Sequence, residues 1–73
     1  MYNTYLLPVY DAELILCYIE HVNAVNLEHA REKFIEHLSE DYNISVNDWE
    51  ELELQLCEQC NIIIGEIYDK EEF

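Results

Sequence analysis

Leu14-Ile15-Leu16-Cys17-Tyr18-Ile19-Glu20-His21-Val22 fits two periods at once. Leu14, Ile15, Tyr18, Ile19 and Val22 share one helical face, and Asp11 ahead of them could act as an N-cap. The same residues are rich in β-branched and aromatic types, which suit a pleated strand. Read as a strand, the chain runs ββααβ; read as a helix, it runs βαααβ. The strand reading is preferred because it makes a β-hairpin and gives the preceding segment a partner.

That preceding segment, residues 2–10, places Tyr5, Leu7 and Val9 on one alternating face. It reads as a strand, and Pro8 puts it at a sheet edge or at a bulge. Asp11-Ala12-Glu13 is polar enough to turn the chain.

Downstream, Asn26 is placed to cap a helix whose buried stripe is Leu27, Ala30, Phe34, Leu38 and Tyr42, with Ile35 at its margin. This helix should end near Asp41–Asn43, with Asn43 left-handed. A second helix is expected to start at Ser45. Ile44 and Trp49 are spaced as a hydrophobic staple, and Asp48 takes the acidic slot of a capping box. Trp49, Leu52 and Leu56 form its inner stripe, with Cys60 near the end.

Residues 61–68 read as a strand, with Gly65 marking a bulge or a close backbone approach. The acidic tail 69–73 is expected to be mobile. The whole, residues 1–73, is a single α+β domain: a small antiparallel sheet packed on two acidic helices.

A chain of 73 residues has room for one core. It is 51 % hydrophobic, which supplies enough apolar material to fold despite a net charge of −14. Seventeen acids stand against three Lys and Arg. That balance argues against direct contact with nucleic acid or an anionic membrane, and for a basic partner such as a nucleic-acid-binding protein. Solubility alone is served by a charge of magnitude about 2–8 in a small domain. No apolar run reaches the roughly 18 residues of a membrane span, and no basic signal region opens the chain. With three cysteines, an odd number, the composition fits a reducing cytoplasm.

Glu28, Glu32, Glu36 and Glu40 recur at every fourth residue, a ladder of like charge along one helix. Neighbours at this spacing repel by a few tenths of a kcal/mol, roughly, unless compensated. Arg31 beside Glu28, Lys33 beside Glu36, and His37 beside Glu40 or Asp41 could compensate in part. Asp41, Asp48, Glu50, Glu51 and Glu53 extend the acidic surface, and Leu54 falls among them as an apolar residue that hints at a contact. Tyr2, Tyr10 and Tyr42 could be rim aromatics suited to Arg-rich surfaces.

Cys57-Glu58-Gln59-Cys60 has the spacing of half a zinc site, and Cys17 with His21 could complete a Cys₃His set. Buried or partly buried thiols are the preferred reading, and no cofactor is called for. His29 and His37 lie two turns apart, too far to hold one ion between them. No nucleophile–base pairing has a catalytic context, and exposed carboxylates without an apolar pocket would not split their pKa values. A non-enzymatic role is expected.

The ladder Glu28-Glu32-Glu36-Glu40, the cluster Glu50-Glu51-Glu53 and the tail pair Glu71-Glu72 give the chain a resemblance in general character. It resembles the small acidic phage proteins that counter bacterial defence, including anti-CRISPR and anti-restriction DNA mimics. The resemblance implies a stoichiometric inhibitor, acting in the host cytoplasm, that fills the nucleic-acid groove of a defence complex. Its contact residues would be Glu28, Glu32, Glu36, Glu40, Asp41, Tyr42, Asp48, Glu50, Glu51, Glu53 and Leu54. The alternatives are an interaction module without mimicry, such as a homodimer paired through the strand edge of residues 61–68, and a small zinc-binding domain.

Overall fold

The structure, a computed structural model, describes residues 2–72 and gives the ββααβ order, with the last strand in two pieces. β1 (Asn3–Asp11) and β2 (Leu16–Ala24) form an antiparallel hairpin. Two helices follow, α1 (Leu27–Tyr42) and α2 (Trp49–Cys60), and then β3 (Ile62–Ile64) and β4 (Tyr68–Asp69). The sheet order is β2-β1-β3, with β4 also paired to β1. The fold is α+β, as the hairpin reading of residues 14–22 expected.

Side chains alternate across a strand, so the register sorts them into two faces. Tyr5, Leu7 and Val9 of β1, Val22 and Ala24 of β2, and Ile62 and Ile64 of β3 face the helices and are buried. They meet Ala30, Phe34 and Leu38 of α1 and Leu52 and Leu56 of α2 in one core. Phe34 and Trp49 join the helices edge to face, with ring centroids 6.5 Å apart. Both helices therefore cover one side of the sheet, and the other side is open.

β1 is the central strand, so of the two placements expected for Pro8, an edge or a bulge, the bulge is the one found. The reason lies in where the missing donor points. The Pro8 carbonyl accepts from Gly65 N–H at 2.9 Å, so its nitrogen faces the same neighbour. There the ladder is already broken. Val9 stands opposite Ile64 and Leu6 opposite Tyr68, which leaves Glu66 and Ile67 together facing Leu7, a bulge of one extra residue. Gly65 enters this bulge because a Cβ would meet Pro8 Cγ at 3.3 Å. The expected bulge is present, and it divides residues 61–68 into two short strands.

The helix ends follow side-chain capping with one correction. Asn26 caps α1, its side chain accepting from His29 N–H at 2.8 Å, and Asn43 ends it with φ 54°. Asp48, not Ser45, caps α2 by accepting from Glu51 N–H at 2.8 Å. Glu51 in turn accepts from Asn47 N–H, one residue before the cap, at 3.4 Å, so a variant of the capping box sits three residues later than expected. Asn61 ends α2 in the left-handed conformation. In the tail, Asp69 pairs with Tyr5, and a 3-10 turn spans Lys70–Glu72. Met1 and Phe73 lie outside the described residues. No helix of the described residues is long and apolar enough to cross a membrane.

Candidate functional site

All four glutamates of the α1 ladder are exposed. Each four-residue step rises about 6 Å and rotates about 40°, so Glu28 to Glu40 climbs about 18 Å while crossing the outer face diagonally. The two cations on this helix do not join the ladder. Lys33 turns back toward the sheet, donating to the Asn23 carbonyl at 2.5 Å and lying 5.6 Å from the centre of the Tyr2 ring. Arg31 instead lines a cleft of about 410 Å³ with Leu27, Trp49, Glu53, Glu66 and Ile67. The compensation expected from Lys33 to Glu36 is therefore absent, and the repulsion in the ladder stands.

α2 continues the acidic surface. Leu52 and Leu56 point inward, which puts Leu54 near the middle of the outer face, 53 % exposed. Glu50, Glu51, Cys57 and Glu58 are its neighbours three and four residues away on the helix, so an apolar side chain sits within a ring of carboxylates. Glu50 and Glu53 are exposed. Asp48 and Glu51 are committed to capping.

Tyr42 is a different case from a free rim aromatic. Its ring packs against the core, and its hydroxyl is 2.7 Å from that of Tyr18 on β2. Burial first, and then the bond to Tyr42, hold the Tyr18 hydroxyl well above the ordinary phenol range. Asp41 beside it is exposed and continues the acidic surface at the end of α1.

The weak zinc set does not assemble. Cys17 and His21 lie on the open side of β2, whereas Cys57 and Cys60 belong to α2 on the opposite side of the sheet. Of the thiols expected to be buried or partly buried, Cys60 alone packs against the core, and Cys17 and Cys57 are exposed. Among the described residues no group of three or more His, Cys, Asp or Glu is placed to hold a metal ion. His29 is engaged locally, its Nδ1 accepting from Val25 N–H at 3.3 Å.

One feature that pattern reading missed is how completely the charge is confined. The strand acids Asp11, Glu20 and Asp69 stand opposite Ile62, Leu7 and Tyr5, so all three fall on the helix side. Across the open side run the rows Ile63–Tyr10–Cys17, Gly65–Pro8–Ile19, Tyr68–Leu6–His21 and Thr4–Asn23. Among the described residues no strand carboxylate points there. The signal was present in the alternation of types, but it needed the register to be read.

No protein-family model matches the chain, no curated protein is similar to it, and no solved structure matches it.

Proposed function

We propose that this protein is a non-enzymatic inhibitor that occupies the basic nucleic-acid-binding surface of a host defence complex, a CRISPR effector or restriction system, in place of nucleic acid. The observation that carries the reading is the uncompensated ladder on α1, continued by Glu50, Glu53 and Glu58 on α2. Its carboxylates step about 6 Å along the axis, against one charge per about 3.4 Å along each strand of a duplex. Lys and Arg that normally hold phosphates would meet a carboxylate at roughly every second phosphate spacing. Leu54 would add an apolar contact inside the charged ring. Ordered water and counter-ions leave both surfaces on binding, so the affinity falls as salt rises. The chain would work in the cytoplasm of the host, where such complexes act.

The test is displacement. Labelled target DNA is bound to purified CRISPR effector and restriction complexes, and this protein is titrated in at low and moderate salt. Release of DNA that weakens with salt supports mimicry and identifies the target. Binding to a complex without release of DNA would replace mimicry with an allosteric or assembly-blocking mode. Absence of binding across the panel would remove the inhibitor reading for those systems.

A further inference from the structure

The outer edge of β2 is the longest unpaired stretch of backbone in the sheet, and the register shows which of its groups are open. Pro8 points its carbonyl at Gly65, so its neighbours Leu7 and Val9 point their polar groups at β2. Glu20 and Tyr18, opposite Leu7 and Val9, therefore exchange bonds with β1. Cys17, Ile19, His21 and Asn23 alternate with them and turn their N–H and C=O groups outward. Lys33 is consistent with this, reaching the Asn23 carbonyl from α1. Among the described residues nothing else pairs with the outward groups. The hairpin turn holds the register. Asp11 accepts from Glu13 and Leu14 N–H at 3.0 and 3.1 Å, and Ile15 adopts a left-handed φ of 51°, rare for a β-branched residue.

Sheets commonly blunt such an edge with a proline, a bulge or a charge. β2 has neither proline nor bulge, since its pairing with β1 is continuous from Leu16 to Ala24. What it has is acid. Glu20 lies half-buried on the helix side of the strand, and α1 lies over β2 on that side. Glu36 and Glu40 follow Lys33 at three and seven residues, so they share the flank of α1 that overhangs the edge. On the other side of the strand Cys17, Ile19 and His21 are exposed, and no strand carboxylate points there among the described residues.

We infer that this edge binds an extended basic segment of a partner protein, added antiparallel to β2 as a further strand about 4.8 Å away. Alternation assigns its side chains. Those beside Glu20 face the helix side, where Lys or Arg meets Glu20, Glu36 and Glu40. Those between them lie beside Ile19 on the open side, where apolar side chains fit. Charge selects this occupant over others. A second copy would set Glu20, Glu36 and Glu40 against their own equivalents, and an apolar strand would cover Glu20 without a counter-charge. The inference goes beyond the inhibitor reading: it concerns main-chain pairing with a protein segment, and it holds whether or not nucleic acid is displaced.

The experiment titrates an acetylated and amidated peptide, Lys-Val-Lys-Val-Lys-Val-Lys, into the isotope-labelled full chain in moderate salt and follows the backbone amides by NMR. The expected result is binding, with shifts and slowed hydrogen exchange at Cys17, Ile19 and His21. The same composition in blocks, Lys-Lys-Val-Val-Val-Lys-Lys, keeps the charge but loses the alternation, and should bind about tenfold more weakly. N-methylation of the central valine removes a donor aimed at the edge, leaves the protein untouched, and should also weaken binding about tenfold. His21→Pro removes an outward N–H that the pairing with β1 does not use. It should match that loss with an unchanged circular dichroism spectrum, and His21→Ala should bind as the parent does. Glu20→Gln should weaken binding about threefold, and Glu50→Gln on the outer face of α2 should leave it unchanged. Equal binding of the two peptides, indifference to N-methylation, or shifts confined to the outer helix faces would overturn the inference, as would no binding. Release of DNA is read in a separate assay, so failure of one reading is distinguishable from failure of the other.

Discussion

Reversing Glu32 and Glu36 to Lys together should make the protein more stable while weakening its binding. The native ladder contains three like-charge neighbours at four-residue spacing, Glu28–Glu32, Glu32–Glu36 and Glu36–Glu40, all exposed. After reversal the outer two become attractive and only the central one stays repulsive. At about 0.2–0.5 kcal/mol per pair, turning two pairs from repulsion to attraction stabilises the helix by about 0.8–2 kcal/mol at low salt. Screening reduces this in moderate salt. Neither Lys33 nor Arg31 confounds the change, because Lys33 is held by Asn23 and Arg31 lines the cleft at Trp49. Urea unfolding followed by circular dichroism measures the first effect, and the displacement assay on the identified target measures the second. Reversal of two charges in a contact row should cost at least tenfold in affinity, about 1.4 kcal/mol. A variant that is less stable than the parent would refute the uncompensated ladder. One that binds as tightly would reduce the ladder to a solvated face.

Other perturbations probe the fold that carries this surface. Phe34→Ala removes a side chain that is 1 % exposed and stacks edge-on with Trp49, and should cost about 3–5 kcal/mol. A chain of this length has a total of roughly 4–11 kcal/mol, so the unfolding midpoint in urea should drop sharply or vanish. Ile15→Asn should stabilise by about 0.5–1 kcal/mol, since Asn tolerates the left-handed conformation that costs other residues about 1–2 kcal/mol, and a rise in Tm checks it. For Tyr18 the folded state holds the phenolic proton more tightly than the unfolded chain does. Its stabilisation is therefore complete below the ordinary phenol value of about 10 and is lost as pH climbs above it. Urea midpoints at pH 9 and 11 should separate less in Tyr18→Phe than in the parent.

Much of this architecture was legible because local chemistry and burial agreed. Asn26 and Asn43 bracket α1 as their side chains and left-handed tolerance suggest, and Phe34 and Leu38 face inward on the expected stripe. The errors share a cause: each depended on which way a backbone group points. Ser45 and Asp48 each have an acid three residues on, Asp48 and Glu51, and only the bonds made in the fold decide between them. Pro8 leaves edge and bulge both open until its missing N–H is found to face the bulge at Glu66 and Ile67. The site shows the same division. The glutamate ladder needs only a helical period, so it could be read directly from the sequence. The destination of Lys33 could not, because Asn23 and Tyr2 come into its reach only once β2 is laid against α1. The clean open face was hidden for the same reason. Glu20 sits between Ile19 and His21, and a one-residue slip in the β1–β2 pairing would exchange the faces and carry its carboxylate onto the apolar side. The segregation of charge is thus a property of register, set by the hairpin turn and by the burial of Leu7 and Val22 on the helix side. The same pairing that builds the core therefore decides which surface remains free of charge.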